Sequence, residues 1–164
     1  MNVTFEFVWR ALLIGAGATL CMDGWAALLR RFGIPSLDFA LLGRWIGYLP
    51  RGRFIHDSIA KATPIPRERL LGWSAHYAIG IGFSTLLLTT FGLDWARSPT
   101  LLPALSIGAA TVVAPLFILQ PALGAGIASS KTPRPIFNSA KSLVTHLVFG
   151  IGLFLSARLV AAVW

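Results

Sequence analysis

Charge is scarce in this chain, and acid is scarcest. Asp and Glu supply 6 of 164 residues against 14 Lys and Arg, and charged residues total 12%. A soluble domain carries about 25%. With 55% hydrophobic residues in long runs and a mean hydropathy of +0.73, the shortage excludes an ordinary soluble domain and indicates an integral membrane protein. Cysteine is nearly absent. Cys21 alone excludes an intrachain disulfide and any Cys/His zinc pattern, and within an apolar run it reads as a packed, inert thiol. Gly124-Ala125-Gly126 and Ser129-Ser130-Lys131 lack the Walker spacing, and no Ser-His-Asp set has a strand–turn–helix context. The net charge of +8 would suggest nucleic acid in a soluble protein. Here the basic residues lie between apolar runs, so topology and anionic lipid account for them, and no nucleic-acid partner is expected. The length fits one integral membrane domain over 1–164.

The organising stretch is Leu70 to Phe91, about 22 residues without a formal charge and long enough to cross a bilayer. His76 lies inside it, and Gly72, His76, Gly80 and Ser84 recur at every fourth position on one helix face. Three further spans are expected at about 5–29, 100–120 and 139–163. Glu6 and the run continuing through Trp25 to Leu29 favour a retained first span over a cleaved leader. Arg30-Arg31, Gly33 and Pro35 stop it. Residues 37–49 predict a short interfacial helix, with Leu37, Leu41, Trp45 and Tyr48 on one face and Arg44 elsewhere. Pro66 and Glu68 suit the start of the second span, and Phe91-Gly92 its end. Trp95 suits the membrane interface. Pro115 should kink the third span, and Asn138 is a candidate N-cap for the fourth. His56-Asp57 reads as a solvated pair.

Part of the chain repeats. His76-Tyr77-Ala78-Ile79-Gly80-Ile81-Gly82 matches His146-Leu147-Val148-Phe149-Gly150-Ile151-Gly152, and Ile14-Gly15-Ala16 echoes Ile107-Gly108-Ala109. The fold class expected is all-α membrane: a four-transmembrane-helix bundle built from two two-helix repeats, with 35–69 inserted into the first copy. Eight basic residues fall in the first connection, and Lys131, Arg134 and Lys141 in or next to the third. That bias puts both connections in the cytoplasm and both termini outside.

This topology brings Asp23, His76, Gln120 and His146, one per span, to a similar depth on the cytoplasmic side. Ionisable groups in a membrane are costly and face a bundle interior or water. Two readings compete. In one, each residue is interhelical hydrogen-bond glue. In the other, the four line a polar pocket, and Arg44 and its basic neighbours attract a small anionic solute or lipid head group. Transport, or a subunit role in transport, would follow. His76 and His146 on separate helices could also be axial ligands of a haem b, with Gly80 and Gly150 leaving room for the macrocycle and Arg44 near a propionate. No other cofactor and no metal site is expected. A membrane enzyme using His76 or Asp23 as a base has neither substrate nor nucleophile defined. Anionic membrane lipids, a homo-oligomer or a larger membrane complex are the expected partners.

Met22-Asp23-x-Trp25, Gly72-Trp73-x-x-His76-Tyr77-x-x-Gly80, Gln120-Pro121-x-x-Gly124-x-Gly126 and Thr145-His146-x-x-Phe149-Gly150 resemble the pattern of domain-of-unknown-function family 2938, small bacterial inner-membrane proteins. The resemblance covers nearly the whole chain. It implies a multi-pass protein of the bacterial inner membrane and carries no activity, so no functional residue is transferred from it.

Overall fold

The computed structural model describes residues 2–163, whose regular structure is helical, with no strand among them. Helix α1 spans Val3–Arg31, and the Asn2 side chain caps it by accepting from Thr4 N at 3.0 Å. Glu6 in its first turn and Arg30 and Arg31 in its last complement the helix dipole. α2 spans Phe39–Tyr48, capped by Asp38, which accepts from Ala40 N at 2.9 Å. α3 spans Glu68–Arg97, with a break at Gly92 (φ 78°, ψ 171°). Only glycine adopts that conformation readily, which is why the second span ends where the sequence ended it.

The third apolar stretch is α4 (Leu101–Thr111), a π turn (Ala114–Leu119) and α5 (Gln120–Leu123). The predicted kink at Pro115 takes the form of that π turn. Proline has no N–H and crowds the carbonyl four residues back, so the chain widens to an i→i+5 pattern, with Gln120 N donating to Pro115 O. α6 spans Pro135–Val163. It starts four residues before the expected boundary because Pro135 takes the first helical position, where its missing N–H costs nothing. Asn138 is therefore not the N-cap; its amide donates to Thr132 Oγ1 at 2.9 Å.

Four segments are long and apolar enough to cross a membrane: Val3–Arg31, Glu68–Arg97, Leu101–Leu123 and Pro135–Val163. At most a third of each apolar window is buried inside the protein, leaving broad apolar surface that only lipid or another protein could cover. This is a multi-pass helical membrane protein.

The chain divides into two compact units. The first comprises Met1–Ile34, Tyr77–Thr111 and Thr145–Trp164. Here α1 runs antiparallel to α3, and α4 antiparallel to α6. Small residues set the spacing: Gly15 meets the backbone of Gly80 and Ile81, and Gly108 meets Gly150 and the His146 carbonyl. Ile14, Leu87, Leu88, Phe149 and Leu153 fill the core, with the Phe83 and Phe149 ring centroids 6.1 Å apart. One further side chain is placed in this core, and one expectation changes. Trp95 is buried in this core, with Nε1 donating to Thr100 O at 3.1 Å, because the Gly92 break turns the last stretch of α3 inward. Cys21 is exposed, although its Cβ lies beside Gly152 of α6.

The second unit comprises Pro35–His76 and Val112–Val144. α2 crosses the start of α3 so closely that Gly43 meets the Glu68 carbonyl and Gly72 the Phe39 carbonyl. The buried face of α2 carries Leu42, Gly43, Arg44 and Tyr48. Arg44 thus lies on the inner face, not apart from it as expected, because Glu68 waits there as its partner. His56 N donates to Ala122 O at 3.0 Å and ties the long connection to α5.

Candidate functional site

Five residues carry the functional expectation, and each meets groups of its own unit. In the first unit the Tyr77 hydroxyl donates to Asp23 Oδ2 at 3.0 Å. His146 Nδ1 lies 3.0 Å from Thr111 Oγ1, which also donates to Gly108 O at 2.9 Å. A threonine hydroxyl has one proton. In the arrangement where that proton stays on Gly108 O, the oxygen accepts and Nδ1 of His146 carries the ring proton. Thr111→Val keeps the side-chain shape and removes both bonds. It should cost about 1 kcal/mol in thermal unfolding, and the ¹⁵N shifts of labelled His146 should lose the Nδ1-protonated pattern. An unchanged spectrum would mean that another group fixes the tautomer.

In the second unit the His76 ring stacks on Phe39 (centroids 4.0 Å, planes 26° apart) and meets Trp73 edge-on at 5.9 Å. Gln120 Nε2 donates to Ser142 Oγ at 3.2 Å, and its Oε1 accepts from Ser129 Oγ at 2.9 Å. Gln120 therefore holds the 124–134 loop to α6. Arg44 is the most heavily bonded of the five. Nε and Nη2 form a two-pronged pair with Glu68 at 2.8 Å each, and Nη1 donates to the carbonyls of Ile59, Ala60 and Ala62 at 2.9–3.3 Å. The Glu68 carboxylate raises the Arg44 pKa against the opposing effect of burial. With its donors committed, Arg44 organises the long connection. Asp23 and His146 thus fall in the first unit, and His76, Gln120 and Arg44 in the second.

Residues 12–160 match the family described as Protein of unknown function (DUF2938). The chain belongs to that family. No curated protein and no solved structure matches it. Among the described residues of this DUF2938 chain, no group of three or more His, Cys, Asp or Glu is arranged to hold a metal ion.

Three features add to the sequence reading or correct it. Glu6, 7% exposed, accepts from Arg10 Nε at 2.9 Å and from Arg97 Nη2 at 2.7 Å, and Arg10 Nη1 donates to Ala96 O. The four-residue spacing of Glu6 and Arg10 was a legible hint; Arg97 was not. His56 is buried against Tyr48 (centroids 5.2 Å) while Asp57 is exposed, so the two are not a solvated pair. Finally, the guanidinium groups of Arg51 and Arg53 lie 5.3 and 5.1 Å from the Tyr48 ring centroid. Both arginines are exposed.

Proposed function

We propose that this DUF2938 protein binds a phosphate-bearing anion, a lipid head group or a small solute, on the cytoplasmic side of the bacterial inner membrane. One observation carries the reading. The second unit holds nine Lys and Arg against three Asp and Glu. Seven of the nine, Arg51, Arg53, Lys61, Arg67, Arg69, Lys131 and Arg134, are exposed, and among the described residues their side chains make no hydrogen bond or ion pair. Arg44 and Glu68 neutralise each other within the unit, so the anion contact moves from Arg44 to Arg51 and Arg53. Tyr48 holds those two guanidinium groups on one ring and limits the side-chain freedom lost when an anion binds.

In this reading α2 lies at the membrane interface, both termini are outside, and positive charge fixes that orientation. Asp23, His76, Gln120 and His146 position helices rather than meet the anion. The two-helix repeat is supported by matched packing: Gly15 on Gly80 and Gly108 on Gly150, with Thr19 donating to Gly15 O as Thr111 does to Gly108 O.

The test uses purified protein titrated with short-chain phosphatidylglycerol, short-chain phosphatidylcholine and glycerol phosphate. Each basic residue near an anionic surface contributes about 1 kcal/mol. Arg51→Ala/Arg53→Ala should therefore weaken phosphatidylglycerol binding by about thirtyfold. Competition by glycerol phosphate would identify a solute site, and lipid binding without competition a head-group site. Equal affinity for both lipids, no binding of glycerol phosphate and no effect of the double substitution would overturn the reading.

A further inference from the structure

A groove of about 490 Å³ runs along the second unit where the π turn meets the start of α6. Leu116, Ala128, Pro135, Ala140 and Leu143 line it, with Ser139 as its polar member. The Ser139 hydroxyl donates to the Ala128 carbonyl at 2.8 Å, so its proton is turned to the backbone and not to the groove. The widened turn at Pro115 and the small side chains of Ala128 and Ala140 account for the space. Ile136, beside Pro135, is 85% exposed, and Phe137 is exposed too. Such a surface in a membrane-spanning segment requires an apolar occupant.

The exposed cations that flank the groove-lining residues in the sequence say which. Arg134 precedes Pro135 directly, and Lys131 lies three residues beyond Ala128. No acidic residue follows Asp94 anywhere in the sequence, so α4, α5, the 124–134 loop and α6 offer these two cations no carboxylate. The first-turn N–H groups of α6 add positive potential next to Arg134. An apolar groove whose lining residues are flanked in the sequence by exposed cations matches an anionic phospholipid: hydrocarbon along the groove, phosphate at Lys131 and Arg134.

We infer that this groove binds an acyl chain of an anionic phospholipid whose phosphate meets Lys131 and Arg134. The inference rests on the anion-binding reading for the head group, while the chain site stands on the groove itself.

The experiment uses the full chain, purified in detergent and loaded with dioleoylphosphatidylglycerol or dioleoylphosphatidylcholine, with retained lipid counted by native mass spectrometry. In an Arg51→Ala/Arg53→Ala background the protein should still retain phosphatidylglycerol about thirtyfold more than phosphatidylcholine, and adding Lys131→Ala/Arg134→Ala should abolish that preference. Ala140→Phe, which fills the groove, should lower retention of both lipids while leaving short-chain head-group binding at Arg51 and Arg53 intact. Should that variant fail to fold, phosphatidylglycerol with a diazirine on its acyl chain serves with the unaltered protein. Its cross-links should fall within residues 112–116 and 136–143.

Cross-links elsewhere, or full retention in folded Ala140→Phe, would overturn the groove assignment and leave the anion-binding reading standing. Equal retention of the two lipids in the Arg51→Ala/Arg53→Ala background would remove the head-group contact. In a Cys21→Ser background, rapid disulfide dimers of Ile136→Cys in membranes would put a second copy of the chain on the groove and also overturn the lipid assignment.

Discussion

Replacing Arg44 by methionine is expected to destabilise the second unit by about 2–3 kcal/mol, below the ~3–5 kcal/mol of a fully buried ion pair. The Arg44 and Glu68 side chains are 10% and 17% exposed, so solvent partly screens the remaining carboxylate. The substitution also removes the donor that gathers the carbonyls of Ile59, Ala60 and Ala62. Glu68 has a second task, accepting from Ile65 N at 3.0 Å ahead of α3, so losing its partner strains the helix start as well. The effect should appear as a lower unfolding temperature in detergent and as faster tryptic cleavage at Arg51, Arg53 and Lys61. Arg44→Met/Glu68→Met should recover part of the loss, because the uncompensated charge disappears. A single variant as stable as the parent would show that the pair does not hold the connection.

Gly15→Ala and Gly108→Ala should each cost about 1–3 kcal/mol through overpacking. A Cβ on Gly15 would lie 2.5 Å from Ile81 Cα and 2.9 Å from Gly80 O. One on Gly108 would lie 2.6 Å from the His146 carbonyl and 2.8 Å from Gly150 Cα. Both clashes are with backbone, so relief requires a helix to move rather than a side chain to turn. The two sites share no partner, so the double variant should lose close to the sum. Matching losses are what an internal repeat requires. A large cost at one site and none at the other would argue that the sequence echo has no common structural role. Gly24→Ala, with nothing within 4 Å of its added Cβ, is the control and should be neutral or slightly stabilising.

The apolar runs, the helix stops and the repeated glycines were readable because their physics is local. Backbone groups inside a bilayer must bond within their own segment, so a charge-free run of about 20 residues has few alternatives to a helix. Glycine and proline act on the backbone where they stand, which is why the break at Gly92 and the distortion at Pro115 lie where the sequence put them. The candidate polar residues were legible only as residue types. That Asp23 meets Tyr77, that Gln120 bridges Ser129 and Ser142, and that His76 stacks on Phe39 depend on residues 9 to 54 positions apart in the chain. Helical phase does not encode such distances.

Arg44 marks the division most clearly. By sequence it was an arginine near tryptophan and tyrosine in a basic connection, the pattern of a head-group contact. Its partner lies 24 residues on, across a turn whose path depends on a left-handed Arg67 (φ 58°) and on the close approach of Gly43 to the Glu68 carbonyl. Composition and periodicity determined that the chain is a membrane protein with four apolar helices, because the cost of burying charge and unpaired backbone in lipid applies to any order of packing. Which cations are neutralised inside the protein, and which stay exposed, was decided only by tertiary structure, because a salt bridge depends on where two side chains meet.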